Sequence, residues 1–227
     1  MIRAVVFDLD GVLLDSERVW DDARRQVVTQ HGGRWRDGAT AAMQGMSSTE
    51  WSAYLRDRLD VHLDREDIVR LVVDQVLDRY RRELPLLPGA RQAVRRLAAR
   101  WPLGLASSAN RPVIDEVLAL SDLAAAFEAT VSSEEVPRGK PHPDVYLEAA
   151  RRLGQPPRVC AAVEDSANGI RAAVAAGLSV AAVPNREFPP PAEVLAQADL
   201  VVERLSDLTV EALGHLDRNL LGRRERG

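Results

Sequence analysis

Six short apolar runs constrain this chain most: 4–7, 103–106, 129–132, 159–163, 179–183 and 199–202. Runs of this length, apolar on both faces and separated by helical patterns, are strands of a parallel sheet covered on each side by helices. Crossovers between such strands are right-handed, and the residues just beyond the strands' carboxyl ends are where a ligand sits. Between the first two runs lies a long interruption. From 16 to about 84 there is no strand pattern, only helical stretches: one capped by Ser16 and stopped at Gly32 and Gly33, then 37–43, 48–58 and 64–82. The expected fold is therefore α/β. A Rossmann-like core, 1–15 and 85–227, is interrupted by an inserted all-helical unit, 16–84.

The strand ends carry the chemistry. Asp8 and Asp10 follow the first run, with Gly11 permitting a tight backbone path beside them. Ser107 and Ser108 follow the second, Lys140 lies in the loop after 129–132, and Glu164 and Asp165 follow the fourth. Each has a plain structural alternative. Asp8 and Asp10 fit a strand-end turn, Ser107, Ser108 and Asn110 fit a helix cap, and Glu164 and Asp165 fit an acidic first turn. Together, four carboxylates, one ammonium and one or two hydroxyls at one sheet edge suit Mg²⁺ plus a phosphoryl group.

Composition narrows the partners. A formal charge of −4 gives no reason to expect nucleic acid, and no apolar run is long enough to span a membrane. One cysteine, Cys160, excludes an internal disulfide and, without a Cys/His cluster, disfavours structural zinc. With Met1 leading straight into the first strand, a cytoplasmic protein, monomeric or weakly dimeric, is expected. Lys140 is the only lysine among 30 basic residues, so either it occupies a position where a compact point charge serves and a guanidinium does not, or it is a chance survivor of an arginine bias.

The ordered set DLDGVLLDS, LASS, GKPHPDVY and VEDSANGI resembles the four motifs of the haloacid dehalogenase superfamily. The helical insertion resembles the small cap of its phosphatase and β-phosphoglucomutase branch, and the likeness extends to about Leu213, leaving a loose tail. The resemblance implies that Asp8 is a nucleophile forming an aspartyl phosphate. Asp10 would be the acid and then the base, with its carbonyl on the metal. Ser107 and Lys140 would hold phosphoryl oxygens, and Asp8, Asp10, Glu164 and Asp165 would bind Mg²⁺. Leu9, Ser108 and Asn110, with Trp20, Gly45, Ser47 and Ser48 of the cap, would meet phosphate or substrate.

An acid at Asp10 separates this chain from the metal-free dehalogenases of the superfamily. The mutases of the branch carry a histidine near Trp20 and an arginine near Ser48, and this chain has neither. The expectation is a phosphatase acting on a small phosphate ester such as a sugar phosphate or phosphoglycolate. A sugar phosphomutase is the alternative, and a receiver-like phosphorylatable module is a second, which the helical insertion disfavours. Specificity is expected from Trp20, Gln44, Met46, Ser47 and Trp51, although helix packing explains these residues equally well. Arg111 reaches a second anionic group or lies in solvent, Asn168 contacts the first loop or is an ordinary first-turn residue, and His142 is structural. A hinge is expected near 14–16 and 84–87.

Overall fold

The computed structural model describes residues 1–43, 46–185 and 189–216. Gln44, Gly45 and the tail from 217 lie outside them. Strand β1 (Ala4–Phe7) is followed by four helices, α1 (Glu17–Gln30), α2 (Ala39–Ala42), α3 (Ser48–Arg58) and α4 (Arg65–Arg82). Alternation then begins: α5 (Ala90–Ala98), β2 (Leu103–Ser107), α6 (Arg111–Leu120), β3 (Ala129–Ser132), α7 (Asp144–Arg152), β4 (Cys160–Glu164), α8 (Ala167–Ala175), β5 (Ser179–Ala182), α9 (Ala192–Leu195) and β6 (Leu200–Val201).

The strands form one parallel sheet in the order β3-β2-β1-β4-β5-β6. From β1 the chain first builds outward through β2 and β3, then returns to place β4 on β1's other side. The point where that direction reverses lies between β1 and β4, where the loops after the two strands part and leave a crevice. Alternate strand residues serve opposite layers. Val5, Phe7, Leu105 and Val163 pack with α5, α6 and the inserted helices, whereas Ala4, Val6, Ala162 and Val180 pack with α7 and α8.

The insertion is helical throughout, with α4 against both α1 and α3. Its stripe on α1 buries Trp20, Ala23, Val27 and Val28. The chain enters and leaves the insertion along one short ribbon: Asp15 N–H donates to Pro85 O at 2.8 Å, and Leu87 N–H to Leu13 O at 2.9 Å. No helix among the described residues is long and apolar enough to cross a membrane.

Several boundaries differ from expectation. The fourth strand begins at Cys160 because Pro157–Val159 form a 3-10 turn behind Pro156. The helix expected over 37–43 starts at Ala39, after Gly38 adopts a left-handed conformation (φ 81°). The helix from Ala90 stops at Ala98, and the sixth strand shrinks to two residues. Ser16 makes no side-chain cap on α1; its hydroxyl turns to Asp10 instead.

Candidate active site

At the switch point the backbone presents carboxylates from two adjacent strands. Asp8 N–H continues the sheet by donating to Val163 O at 3.0 Å, which fixes Asp8 beside the end of β4. Glu164 is the last residue of β4 and is fully buried; Asp165 follows it, 5% exposed. The loop before α7, with a cis Lys140–Pro141 bond, brings Lys140 between the strands. Its Nζ donates to Asp8 Oδ1 at 2.7 Å and to Glu164 Oε1 at 2.6 Å.

Glu164 is thoroughly engaged. Oε1 also accepts from Tyr146 OH at 2.6 Å, and Oε2 accepts from Asp165 N–H, Ser166 N–H and Ser166 Oγ at 3.1, 3.3 and 3.1 Å. Asp165 differs: its buried Oδ1 has no hydrogen-bond partner among the described residues. Asp8, Glu164 and Asp165 each offer an oxygen within 4.8 Å of the others. Two glycines make room for these acids. A Cβ on Gly11 would stand 1.9 Å from Asp165 Oδ2, and one on Gly169 would stand 1.8 Å from Glu164 Oε1.

The electrostatics reflect crowding of like charge. Burial, then Glu164 and Asp10, push Asp8 up to about 7 against the opposing pull of Lys140. Burial, then Glu164 and Asp8, raise Asp165 well above the carboxylate range. Burial alone would lower Lys140, but Asp8 and Glu164 outweigh it and keep the ammonium charged. Asp10 is raised by burial, with the Ser16 hydroxyl and the Trp20 indole pulling the other way. Four acids against one ammonium, with an orphaned oxygen on Asp165, form a hard-oxygen set suited to a divalent cation such as Mg²⁺.

The inserted helices roof this centre, leaving a half-open cavity of about 100 Å³. Trp20 Nε1 donates to Asp10 Oδ1 at 3.3 Å, and Ser48 Oγ donates to Asn110 Oδ1 at 3.0 Å, so both contacts join the insertion to the core at the site. Of the residues singled out in the sequence, Asp8, Asp10, Trp20, Met46, Ser48, Trp51, Ser108, Lys140, Asp165 and Asn168 line the cavity. Ser107 is fully buried at the end of β2, with Oγ accepting from Ala109 N–H at 3.0 Å. The Leu9 side chain is buried in the core, leaving only its backbone to face a ligand. Ser47 is not in the lining; it starts α3, its N–H and Oγ both donating to Glu50. Asn110, placed by sequence among the phosphate or substrate contacts with a helix cap as the alternative, makes no side-chain cap and donates to Glu134, and Arg111 is held by Glu135, Asp115 and Thr130. Gly45 lies outside the described residues.

Sequence reasoning passed over Tyr146, Glu17 and Arg24. The last two line the cavity, and Arg24 is the one charged residue on the buried stripe of α1, four positions after Trp20.

Comparison with known proteins agrees with this geometry. The model for haloacid dehalogenase-like hydrolases matches residues 2–177. Hexitol phosphatase B of Escherichia coli (strain K12) is 34% identical over 226 residues, covering 93% of this chain and 96% of that protein. Fructose-1-phosphate phosphatase YqaB of the same organism is 28% identical over 174 residues, covering 77% and 92%. Among solved structures, CbbY from Rhodobacter sphaeroides in complex with phosphate is 26% identical with a TM-score of 0.82, covering 94% and 100%.

Proposed function

Because the chain belongs to the haloacid dehalogenase-like hydrolases and is a phosphoric monoester hydrolase of that family, we propose that it is a Mg²⁺-dependent phosphatase of a small sugar or polyol phosphate. It would work in two steps through Asp8. The observation carrying this reading is the Asp8–Lys140 pair in one cavity with Asp10 at the sheet's switch point. The relatives' names, hexitol and fructose-1-phosphate phosphatases, support the substrate class.

In the first step an Asp8 carboxylate oxygen forms a bond to phosphorus while the ester oxygen leaves. Lys140 occupies Oδ1, and Oδ2 accepts no hydrogen bond from any described residue, so Oδ2 is the attacking atom. Asp10, whose burial favours its protonated form, gives a proton to the departing alkoxide, releasing an alcohol. In the second step the Asp10 carboxylate takes a proton from water, whose oxygen attacks phosphorus and frees Asp8 and phosphate. Ser107, already accepting from the Ala109 amide, keeps its own proton to donate to a phosphoryl oxygen. Asp8 and Asp165 would hold Mg²⁺, with the Asp10 carbonyl and Glu164 beside them. When bound, the ion offsets the charge that otherwise keeps a carboxylate from approaching a phosphate ester. With five donors on it, Glu164 chiefly aims Lys140.

Trp20 favours water over a second sugar as acceptor. Its indole N–H orients Asp10 but has no proton to exchange near neutral pH. We further propose that 16–84 moves as a cap on the 13–15 and 85–87 ribbon, since the chain passes between the two units there and the cleft between them opens to solvent. A cytoplasmic location and a monomer or weak dimer belong to the same proposal. The deciding experiment is a phosphate-release screen over phosphorylated metabolites with and without Mg²⁺, run beside glucose 1-phosphate isomerisation. Phosphate release from sugar or polyol phosphates is expected. Isomer without phosphate, or no reaction with any ester, would overturn the reading.

A further inference from the structure

A guanidinium removed from water needs acceptors, and Arg24 has been given none. It is 9% exposed. Its Nε is buried without a partner, and no described residue makes a hydrogen bond or ion pair with it. Its guanidinium carbon stands 5.5 Å from the Trp20 ring and 5.5 Å from the Trp51 ring, so the two indoles hold the planar head in place. That head lines the same cavity as Asp8, Asp10 and Lys140.

What Arg24 lacks is oxygen, not counter-charge. Burial lowers it to about 10, still protonated at neutral pH, while Glu17, Asp21 and Asp10 act on it through space. Glu17 also lines the cavity, two turns before Arg24 on α1. A second phosphate or carboxylate on the substrate would meet Arg24 but also these acids. Hydroxyl groups suit both sides: their oxygens accept from the guanidinium fork, and their protons go to Glu17. The indole faces suit the C–H surface between hydroxyls.

We propose that Arg24, with Glu17 beside it, is the specificity-determining residue, reading hydroxyls of the leaving group so that neutral polyhydroxy monophosphates are taken in preference to bisphosphates. The proposal rests on the phosphatase reading above and adds the identity of the residue that selects among esters.

The test uses the full chain with Mg²⁺ and three esters: a hexitol monophosphate, a hexose bisphosphate and methyl phosphate, which has no hydroxyl. Wild type is expected to favour the hexitol ester over the bisphosphate by at least about tenfold in kcat/KM, and Arg24→Met to lose about ten- to a hundredfold more on the hexitol ester than on methyl phosphate. Most of that loss should appear in KM, and Arg24→Lys should recover only part, lacking the fork. A wild-type preference for the bisphosphate, or equal losses on hexitol and methyl esters, would overturn the proposal. Should Arg24→Met fail to fold by circular dichroism, the wild-type order and Glu17→Gln, expected to weaken the preference, decide it alone. If wild type releases phosphate from no ester, the phosphatase reading fails; release with the wrong preference sinks only the role of Arg24.

Discussion

Gly169→Ala sets two physical effects against each other with opposite signs. Gly169 lies inside α8, where replacing glycine by alanine ordinarily stabilises a helix by about 1 kcal/mol. Here the new methyl would stand 1.8, 1.9 and 2.0 Å from Glu164 Oε1, Cδ and Oε2. The carboxylate must leave the place where Lys140, Tyr146, Ser166 and two backbone amides hold it. Disrupting a buried ion pair costs about 3–5 kcal/mol, so after the helix gain the net loss is about 2–4 kcal/mol. In a chain of 227 residues this lowers Tm by roughly 5–15 °C, with kcat/KM falling because Lys140 loses one of its two acceptors. Urea or thermal melts of Gly169→Ala, Glu164→Ala and the double variant measure the coupling. Once Glu164 is gone, the added methyl should be neutral or stabilising by about 1 kcal/mol. The reasoning is refuted if Gly169→Ala melts at or above wild type, or costs the same whether or not Glu164 is present.

Three further outcomes are expected. Asp8→Asn should keep the fold and drop kcat by about a thousandfold or more, since no other group supplies the attacking oxygen; comparable turnover would exclude Asp8 as nucleophile. Mg²⁺ should raise Tm by mass action, about 2.7 kcal/mol at a hundred times its Kd. Asp165→Asn should abolish that increment while raising Tm in chelator, because an amide avoids the cost of either ionising or protonating a buried carboxyl beside Glu164 and Asp8. Ser16→Ala removes a hydroxyl that lowers Asp10's pKa. Asp10 should then hold its proton to higher pH, and the alkaline limb of kcat/KM should move upward; a limb that stays or falls would contradict the assignment.

What was legible in the sequence follows from what each pattern physically requires. A strand buried on both faces must be apolar throughout, so β1 to β5 stood out, and acids immediately after such strands could only lie at the sheet's rim. The single lysine stood out by composition, and the structure brings it between Asp8 and Glu164. Local patterns failed where a side chain had a distant partner. Ser16 and Asn110 have the chemistry of helix caps, but Asp10 drew the first and Glu134 the second. Arg24 was hidden because a helical stripe is read from its apolar members, and a cation among them looks like an interruption. Tyr146 was unreadable for a related reason: nothing near it in the chain announces that its hydroxyl meets Glu164 at the end of a different strand.

The solitary lysine has a practical consequence. Amine-directed reagents have one side-chain target in this protein, and the fold hides it: Lys140 is 7% exposed and held protonated by two carboxylates. In the folded state such reagents should therefore leave the Lys140 side chain unmodified. Labelling of Lys140 would then report unfolding directly, as a mass increment that appears only when the sheet's rim comes apart.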